Sequence, residues 1–201
     1  MSLVEKDKPY HHGDLRAALL KAAEAMVERV GVEGLSLREL TREIGVSSNA
    51  PRRHFPNKQV LLDALALQGF ERLGMVFRRA ASSNEPEFSQ RIIKVAKANI
   101  RFAMKNRSLY RLMFASKQRA GAPVELLDAA KATLTAGGSA VVYGQSVGAV
   151  IAGDPDQLGL TLLAAVEGLM SLSVDGKFNG VPIEHLAEQV IENIVLGLKP
   201  R

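Results

Sequence analysis

The sequence predicts an all-α protein, and three observations support this fold class. Alanine and aliphatic residues dominate the composition, whereas aromatic residues make up only 5% of the chain. Alanine and leucine favour helices. No stretch alternates apolar and polar residues over the length of a strand, whereas apolar residues recur at steps of three and four along much of the chain. With 201 residues, the chain is long enough for one large domain or two small ones with real cores.

The front of the chain is predicted to be a polar arm followed by one amphipathic helix. We expect residues 1–13 to form a flexible arm and Asp14 to cap the first helix. Gly31 and Gly34 are expected to end this helix. Its apolar face is formed by Leu15, Leu19, Ala22, Met26 and Val30.

Two short helices joined by a tight turn are predicted next. Ser36 is expected to cap the second helix, with Glu39 as its capping-box partner, and Gly45 ends it. A third helix is expected to begin with Ser47 as its cap and to run to about Phe55. This arrangement is a helix-turn-helix, in which the later helix lies in the major groove of DNA.

The third predicted helix carries the groups that a DNA-reading helix needs. No carboxylate occurs between Ser47 and Lys58, although a solvated surface helix normally includes some. Pro51 lies near the start of this helix, where its missing N–H costs little. Small residues at the front allow close approach to the groove, and the donors are expected to contact phosphates and base edges. The alternative is a surface helix hairpin with incidental basic residues.

Further helices are predicted over the rest of the chain. The fourth helix begins near Lys58 and continues towards Ala80, and the polar stretch 82–86 is the expected domain boundary. A fifth helix is expected over 88–105, and a short apolar sixth helix contains 109–114.

The alanine-rich stretch from Val124 to about Val150 is predicted to be a helix that kinks or breaks near Gly137-Gly138 and ends at Gly153-Asp154-Pro155. The apolar stretch 158–174 contains Glu167 and is marginal in length for a membrane span, so a buried core helix is expected. Two heptad-like seams follow, and with a second copy of the chain they would form a four-helix dimer interface. The seam residues are Leu158, Leu162, Ala165, Leu169 and Leu172 in one helix and Leu186, Val190 and Ile194 in the other.

The composition excludes several classes of protein. The chain has no cysteine, so disulfides and thiolate zinc sites are excluded, and a reducing cytoplasm suits it. No targeting signal is visible at the front of the sequence. His11-His12 is not expected to bind a metal, because adjacent histidines point apart. No catalytic triad spacing, phosphate-cradling loop or metal signature is present, so neither an enzyme nor a cofactor is predicted.

The charge of the chain is compatible with nucleic acid but does not locate the contact surface. The formal net charge is +5 and the isoelectric point is about 9.6. The densest basic region is 72–119, not the predicted helix-turn-helix. This region either lies towards DNA and adds non-specific attraction or, through Arg101 and Arg111, favours an anionic ligand.

Residues 13–72 resemble the DNA-binding domain of the tetracycline-repressor (TetR) family of bacterial transcriptional regulators. The matching string is LSLRELTREIGVSSNAPRRHFPNKQVLLDAL, and the helix before it ends in RVGVEG. The front arm YHHGDLR and the later FAMKNRSLYRLMF resemble one subgroup, whose effector domain is called the WHG type.

The resemblance implies a homodimer that binds a palindromic double-stranded DNA operator and a small-molecule effector in a C-terminal helical domain. Carried over by position, the DNA-contact candidates are Ser36, Arg38, Ser47, Ser48, Asn49, Ala50, Arg52, Arg53, His54 and Lys58. This chain departs from the family at Arg52, where the family usually has tyrosine, and at Pro51.

An apolar set with two hydroxyls is the expected effector pocket, since ligand sites are mostly apolar with a few polar anchors. Ordinary core packing is the alternative for each residue. The set comprises Phe102, Tyr110, Met113, Phe114 and Tyr143.

The function expected from these features is that of a ligand-responsive regulator, most directly a repressor released from DNA by a small molecule. Residues 1–72 are expected to bind DNA, with the fourth helix linking to about residue 80, and residues 73–201 to bind the effector and dimerise. The alternative is a helical ligand-binding or protein-interaction module that does not bind DNA. No association with a membrane is expected.

Overall fold

The computed structural model describes residues 12–47, 49–82, 84–174 and 181–200. Within these ranges the chain forms eight α-helices and one short 3-10 helix, with no strand, so the all-α prediction is confirmed. The helices are α1 (His12–Val30), α2 (Leu37–Ile44), α3 (Lys58–Ala81), α4 (Phe88–Lys105), α5 (Arg107–Gln118), α6 (Val124–Ser146), α7 (Pro155–Val174) and α8 (Ile183–Gly197).

The first helix begins earlier than predicted. Because α1 starts at His12, Asp14 lies inside its first turn and not at the cap position predicted for it, so that prediction is wrong. The first turn of a helix favours acidic residues because of the positive end of the helix dipole. The end of α1 is as predicted, since Gly31 follows Val30 with a positive φ of 76°. Residues 1–11 of the arm predicted over 1–13 lie outside the described part of the chain.

The caps of α2 are confirmed. Ser36 has an extended backbone, and its side-chain oxygen accepts a hydrogen bond from the N–H of Glu39 at 3.4 Å. Gly45 ends the helix in the left-handed conformation, with φ of 70°. A side chain at that φ would strain the backbone, so a glycine is required where the chain turns out of α2.

The third predicted helix is reduced to the 3-10 helix Pro51–Arg53. Pro51 has no N–H to donate to the carbonyl of Ser47, so a regular helix over 47–55 is interrupted. The N–H of Ala50 bonds the Ser47 carbonyl at 3.0 Å, and the N–H groups of His54 and Phe55 both bond the Pro51 carbonyl. The prediction that Ser47 caps a helix is therefore also wrong: Ala50 precedes the 3-10 helix, and no side chain caps it.

The Gly137-Gly138 pair does not interrupt α6, which runs from Val124 to Ser146, so both the predicted break and the predicted end near residue 153 are wrong. These glycines serve close packing. A Cβ at Gly137 would lie 3.1 Å from Cδ2 of Phe77, and a Cβ at Gly159 would lie 3.4 Å from Cα of Gly138. The absence of side chains therefore lets α6 approach both α3 and α7.

Two clusters of buried apolar residues stabilise the fold. The first cluster joins α1, α2 and α3 to α5 and includes Leu19, Leu40 and Met113. The second joins α4 and α6 to α7 and α8 and includes Ile100 and Ile191. α7 contributes buried leucines to the second cluster, which confirms the prediction of a core helix over 158–174. No helix among the described residues is long and apolar enough to cross a membrane.

Candidate nucleic-acid interface and ligand cavity

The segment 46–58, here called the reading segment, divides into buried anchors and exposed polar groups. Pro51 and Phe55 are buried, and Phe55 is only 1% exposed. The guanidinium of Arg16 lies over the Phe55 ring, 5.5 Å from its centroid. These contacts hold the segment against α1 and the first core cluster, while Ser47, Asn49, Arg52 and Arg53 stay exposed.

Five of the ten predicted DNA contacts are exposed. Ser47, Asn49, Arg52 and Arg53 are exposed on the reading segment, and Arg38 is exposed on α2. No salt bridge within the described residues involves the three arginines. Their guanidinium groups are thus available for phosphate oxygens or base edges.

The other predicted contacts are half-buried or have a structural partner. Ala50 and His54 are half-buried, and Ser48 lies outside the described residues. Ser36 accepts the capping hydrogen bond of α2. Lys58 Nζ donates to the Glu33 carbonyl at 2.9 Å, which ties the start of α3 to the loop after α1.

An apolar cavity of about 50 Å³ lies between α3, α4, α6, α7 and α8. Its walls are aliphatic and aromatic side chains together with the glycines where α6 approaches its neighbours. The one side-chain amide in its wall is Asn99, which is 2% exposed to solvent. The wall includes Phe77, Ile92, Val95, Leu134, Leu162 and Val166.

The structure brings four of the predicted ligand residues together beside this cavity, not in its wall. The rings of Tyr110 and Phe114 lie 4.8 Å apart, and those of Phe102 and Tyr110 lie 6.4 Å apart. Met113 is fully buried beneath them. Tyr110 connects this group to the cavity, because its hydroxyl lies 3.2 Å from Oδ1 of Asn99.

Tyr143 lies apart from the other predicted ligand residues. Its ring lies under the guanidinium of Arg91, 3.7 Å away, and its hydroxyl donates to the Pro86 carbonyl. Arg101 and Arg111 are exposed. Arg101 and Phe102 line an open surface groove between α3 and α4, which shares no lining residue with the apolar cavity.

The side chains of Arg72, Glu28 and Arg119 connect α1 and α3 to α5 and to Asn106 just before it. Arg72 of α3 donates to Glu24 of α1 at 2.8 Å and to Asn106 at 3.1 Å, just before α5. The carboxylate of Glu28 on α1 accepts hydrogen bonds from the N–H groups of Ser108 and Leu109. Arg119, at the end of α5, donates to the buried carboxylate of Asp63 on α3. A displacement of α5 would therefore be transmitted to both α1 and α3 through these contacts.

The predicted dimer seams are used largely inside the protomer. Leu162 and Leu169 are buried in the second core cluster, and Leu172 is exposed. Half-buried positions are Leu158, Ala165, Leu186, Val190 and Ile194. The outward face of α7 instead presents small and apolar residues at helical spacing, namely Leu160, Thr161, Ala164, Gly168 and Leu172.

Sequence reasoning did not identify Asn99 and Glu167 as members of a site. Tyr110 donates a hydrogen bond to the Glu167 carboxylate, and Asn99 Nδ2 lies 3.5 Å from the same carboxylate oxygen. Burial raises the pKa of Glu167, an effect that outweighs the hydrogen bonds from Tyr110 and Asn99. Burial and the Glu167 charge also raise the pKa of Tyr110, so this hydroxyl stays protonated. The available signal was a lone carboxylate in the apolar stretch 158–174.

Comparisons with known proteins match both halves of the chain. Residues 19–65 match the family described as "Bacterial regulatory proteins, tetR family", and residues 92–195, just over half of the chain, match "Tetracyclin repressor-like, C-terminal domain". The class C tetracycline repressor protein of Escherichia coli is 45% identical over 51 residues, which is 25% of this chain and 23% of that protein. The class A repressor from transposon 1721 of Escherichia coli is 46% identical over 48 residues, 24% of this chain and 22% of that protein. The chain thus spans about a quarter of the length of the curated relatives it matches.

Solved structures match over nearly the whole chain. A protein of unknown function from Rhodococcus sp. RHA1 is 36% identical, with a TM-score of 0.89 over 96% of this chain and 100% of that one. PfmR, a TetR family transcriptional regulator from Thermus thermophilus, has a TM-score of 0.67 at 18% identity over 90% of this chain and 99% of that one, which shows the shared fold. With a helix-turn-helix segment in front and a matching C-terminal domain behind it, the chain belongs to the TetR family of bacterial regulatory proteins.

Proposed function

We propose that this protein is a ligand-responsive DNA-binding transcriptional regulator, and specifically a repressor that a small molecule releases from a palindromic operator. The observation that carries the proposal is the reading segment, which is held to the core by Phe55 and exposes cations without a carboxylate. A protein surface that binds nothing would gain no stability from exposed cations without nearby carboxylates. The phosphates of DNA neutralise such cations. Such a regulator acts in the cytoplasm, where its operator is located.

The proposed DNA contacts divide into phosphate contacts and base contacts. Arg52, Lys58 and the backbone amides near Ser47 contact phosphates and set the affinity. Arg38, Asn49 and Arg53 read base edges, because guanidinium and amide groups match the donor and acceptor pattern of the major groove. The remaining candidates are Ser36, Ser48, Ala50 and His54.

The proposed dimer forms through the outward face of α7 together with the half-buried seam of α8. Gly168 has open space where a Cβ would be, so a second helix can approach the backbone there. A two-fold axis would place the outward face of α7 in one protomer against the same face of its partner, and this contact would set the distance between the two reading segments. The division of labour follows: residues 1–72 read DNA, and residues 73–201 bind the effector and dimerise.

The proposed response to ligand passes through α5. An effector near Tyr110 displaces α5, which is attached to α1 through Glu28 and to α3 through the Arg119–Asp63 salt bridge. A tilt of α3 changes the separation of the two reading segments, so that both can no longer occupy successive half-sites. The affinity for the operator then falls.

Size-exclusion chromatography and a mobility shift on the DNA upstream of the protein's own gene test this proposal. We expect a dimer that binds a palindromic fragment and whose affinity falls steeply with salt. A dimer without affinity for DNA would contradict it and favour a ligand-binding or interaction module.

A further inference from the structure

A polar cluster lies beside the cavity and shares Asn99 with the cavity wall. It consists of Asn99 on α4, Tyr110 on α5 and Glu167 on α7, so three helices meet at these side chains. The Tyr110 hydroxyl donates to the Glu167 carboxylate and lies 3.2 Å from Asn99 Oδ1, while Asn99 Nδ2 lies 3.5 Å from Glu167 Oε1. Asn99 also forms part of the cavity wall, so the cluster and the cavity are continuous.

The Glu167 carboxylate lies within hydrogen-bonding distance of Tyr110 and Asn99. Within the described residues, no lysine, arginine or histidine forms a salt bridge with Glu167. Lys117 is the nearby cation whose charge acts on this carboxylate, and its Nζ lies 4.6 Å from the centroid of the Phe114 ring. A partly buried carboxylate without a direct cation is costly, and burial accordingly raises its pKa.

The rest of the cavity offers only apolar contact. Among its lining residues Asn99 alone has a polar side chain, and Val95, Ala96, Val166, Phe77 and Leu134 are apolar. At about 50 Å³ the cavity is too small for a ring system and has room for only about two or three carbon atoms of an apolar chain. A ligand that filled it and extended past Asn99 would reach the Glu167 carboxylate with its polar end.

We propose that the effector is a small apolar molecule with a protonated amine, which places its chain in the cavity and its ammonium group against Glu167 and Asn99. This inference rests on the proposed function only in calling the ligand an effector. The ammonium group supplies a direct ionic partner for Glu167, which forms no salt bridge in the described part of the chain, and charge-assisted hydrogen bonds are the strong ones in such a site. Tyr110, which shares the same carboxylate oxygen with Asn99, then shifts with α5 when the ammonium group competes for it.

Three probes with the same three-carbon chain test the ligand class, namely propylammonium, 1-propanol and propanoate. Calorimetric titration of the full-length protein is expected to give an affinity for propylammonium roughly tenfold above that for 1-propanol, with propanoate weakest. Glu167→Gln should remove the preference for the amine while leaving the affinity for 1-propanol unchanged. Glu192→Gln, the same exchange at an exposed position of α8, should retain the preference.

The outcomes separate this inference from the proposed function. Preferential binding of propanoate would overturn it and point to the open groove beside Arg101. No detectable binding of propylammonium, or an unchanged preference in Glu167→Gln, would also overturn it. Operator binding by the same protein samples is measured separately, and the repressor proposal fails if DNA is not bound. The proposed ligand class is tested by the calorimetric titrations alone. Far-UV circular dichroism of each variant verifies that it is folded.

Discussion

The carboxylate of Glu28, on α1, accepts a hydrogen bond from the backbone N–H of Ser108 at 3.1 Å. The same carboxylate accepts from the N–H of Leu109, so a side chain of α1 caps the first turn of α5. The first N–H groups of a helix have no partner within the helix, and a carboxylate there is stabilised by the helix dipole. The cap thus fixes α5, which carries Tyr110, to the helix that supports the reading segment.

Replacing Glu28 by alanine is expected to destabilise the protein by about 1 kcal/mol, the usual cost of losing a helix cap. Amide hydrogen exchange at Ser108 and Leu109 should become faster in the variant. Glu71→Ala, which removes an exposed carboxylate of α3, is the matched control and should leave both quantities unchanged. Unchanged exchange at Ser108 in Glu28→Ala would mean that the cap does not hold α5.

Arg52→Ala is expected to weaken operator binding and to reduce the slope of log affinity against log salt by about 1, because one phosphate contact is lost. The matched control is Arg78→Ala, an exposed arginine about 30 Å from Lys58 along α3. Its slope should equal that of the unchanged protein. An unaltered slope in Arg52→Ala would remove Arg52 from the phosphate contacts.

Gly168→Arg is expected to convert the dimer to a monomer, because two-fold symmetry would bury two like charges opposite each other. Operator affinity should fall roughly 100-fold or more, since the two half-sites then no longer reinforce each other. Light scattering after size exclusion measures the mass. Val142→Arg introduces the same charge at an exposed position of α6 and should leave the dimer intact; dissociation in both variants would count against the α7 face.

Gly144→Ala is expected to lower the free energy of unfolding by about 1–3 kcal/mol, the usual cost of overpacking a core. A Cβ at this position would lie 2.4 Å from Cδ2 of Phe88 and 2.8 Å from Cγ2 of Val150. Gly197→Ala, where a Cβ meets open space, is the control and should change stability little. Urea unfolding compares the two, and equal stabilities would show that α4 and α6 adjust without strain.

The pH dependence of stability is expected to change in Glu167→Gln. Because burial raises the pKa of Glu167 in the folded state, the folded protein holds this proton more tightly than the unfolded chain. Its contribution to stability is therefore complete below the unfolded pKa and is lost as the pH rises through the folded pKa. In Glu167→Gln that loss should be absent, so the stability of the two proteins should diverge as the pH rises from about 4. Parallel pH profiles from urea unfolding would contradict the pKa direction.

Much of the helix layout follows from the sequence, because caps and periodic apolar positions act over a few residues. Ser36 and Gly45 delimit α2, and the bounds of α4 are those expected from its apolar spacing. Local signals failed where two effects compete. Pro51 is tolerated in the first turn of a helix, yet it also removes the N–H that would continue the helix from Ser47, and the outcome is a 3-10 helix.

The sequence by itself determined the all-α class, the family and the exposed cations of the reading segment, since these depend on residue types at short spacing. Only the tertiary structure decided which apolar face is core and where the cavity lies. Leu162 and Leu169 belong to a seam by spacing, but α4, α6 and α8 cover them. Asn99, Tyr110 and Glu167 are separated by many residues and meet only because α4, α5 and α7 converge, and no local pattern encodes that convergence.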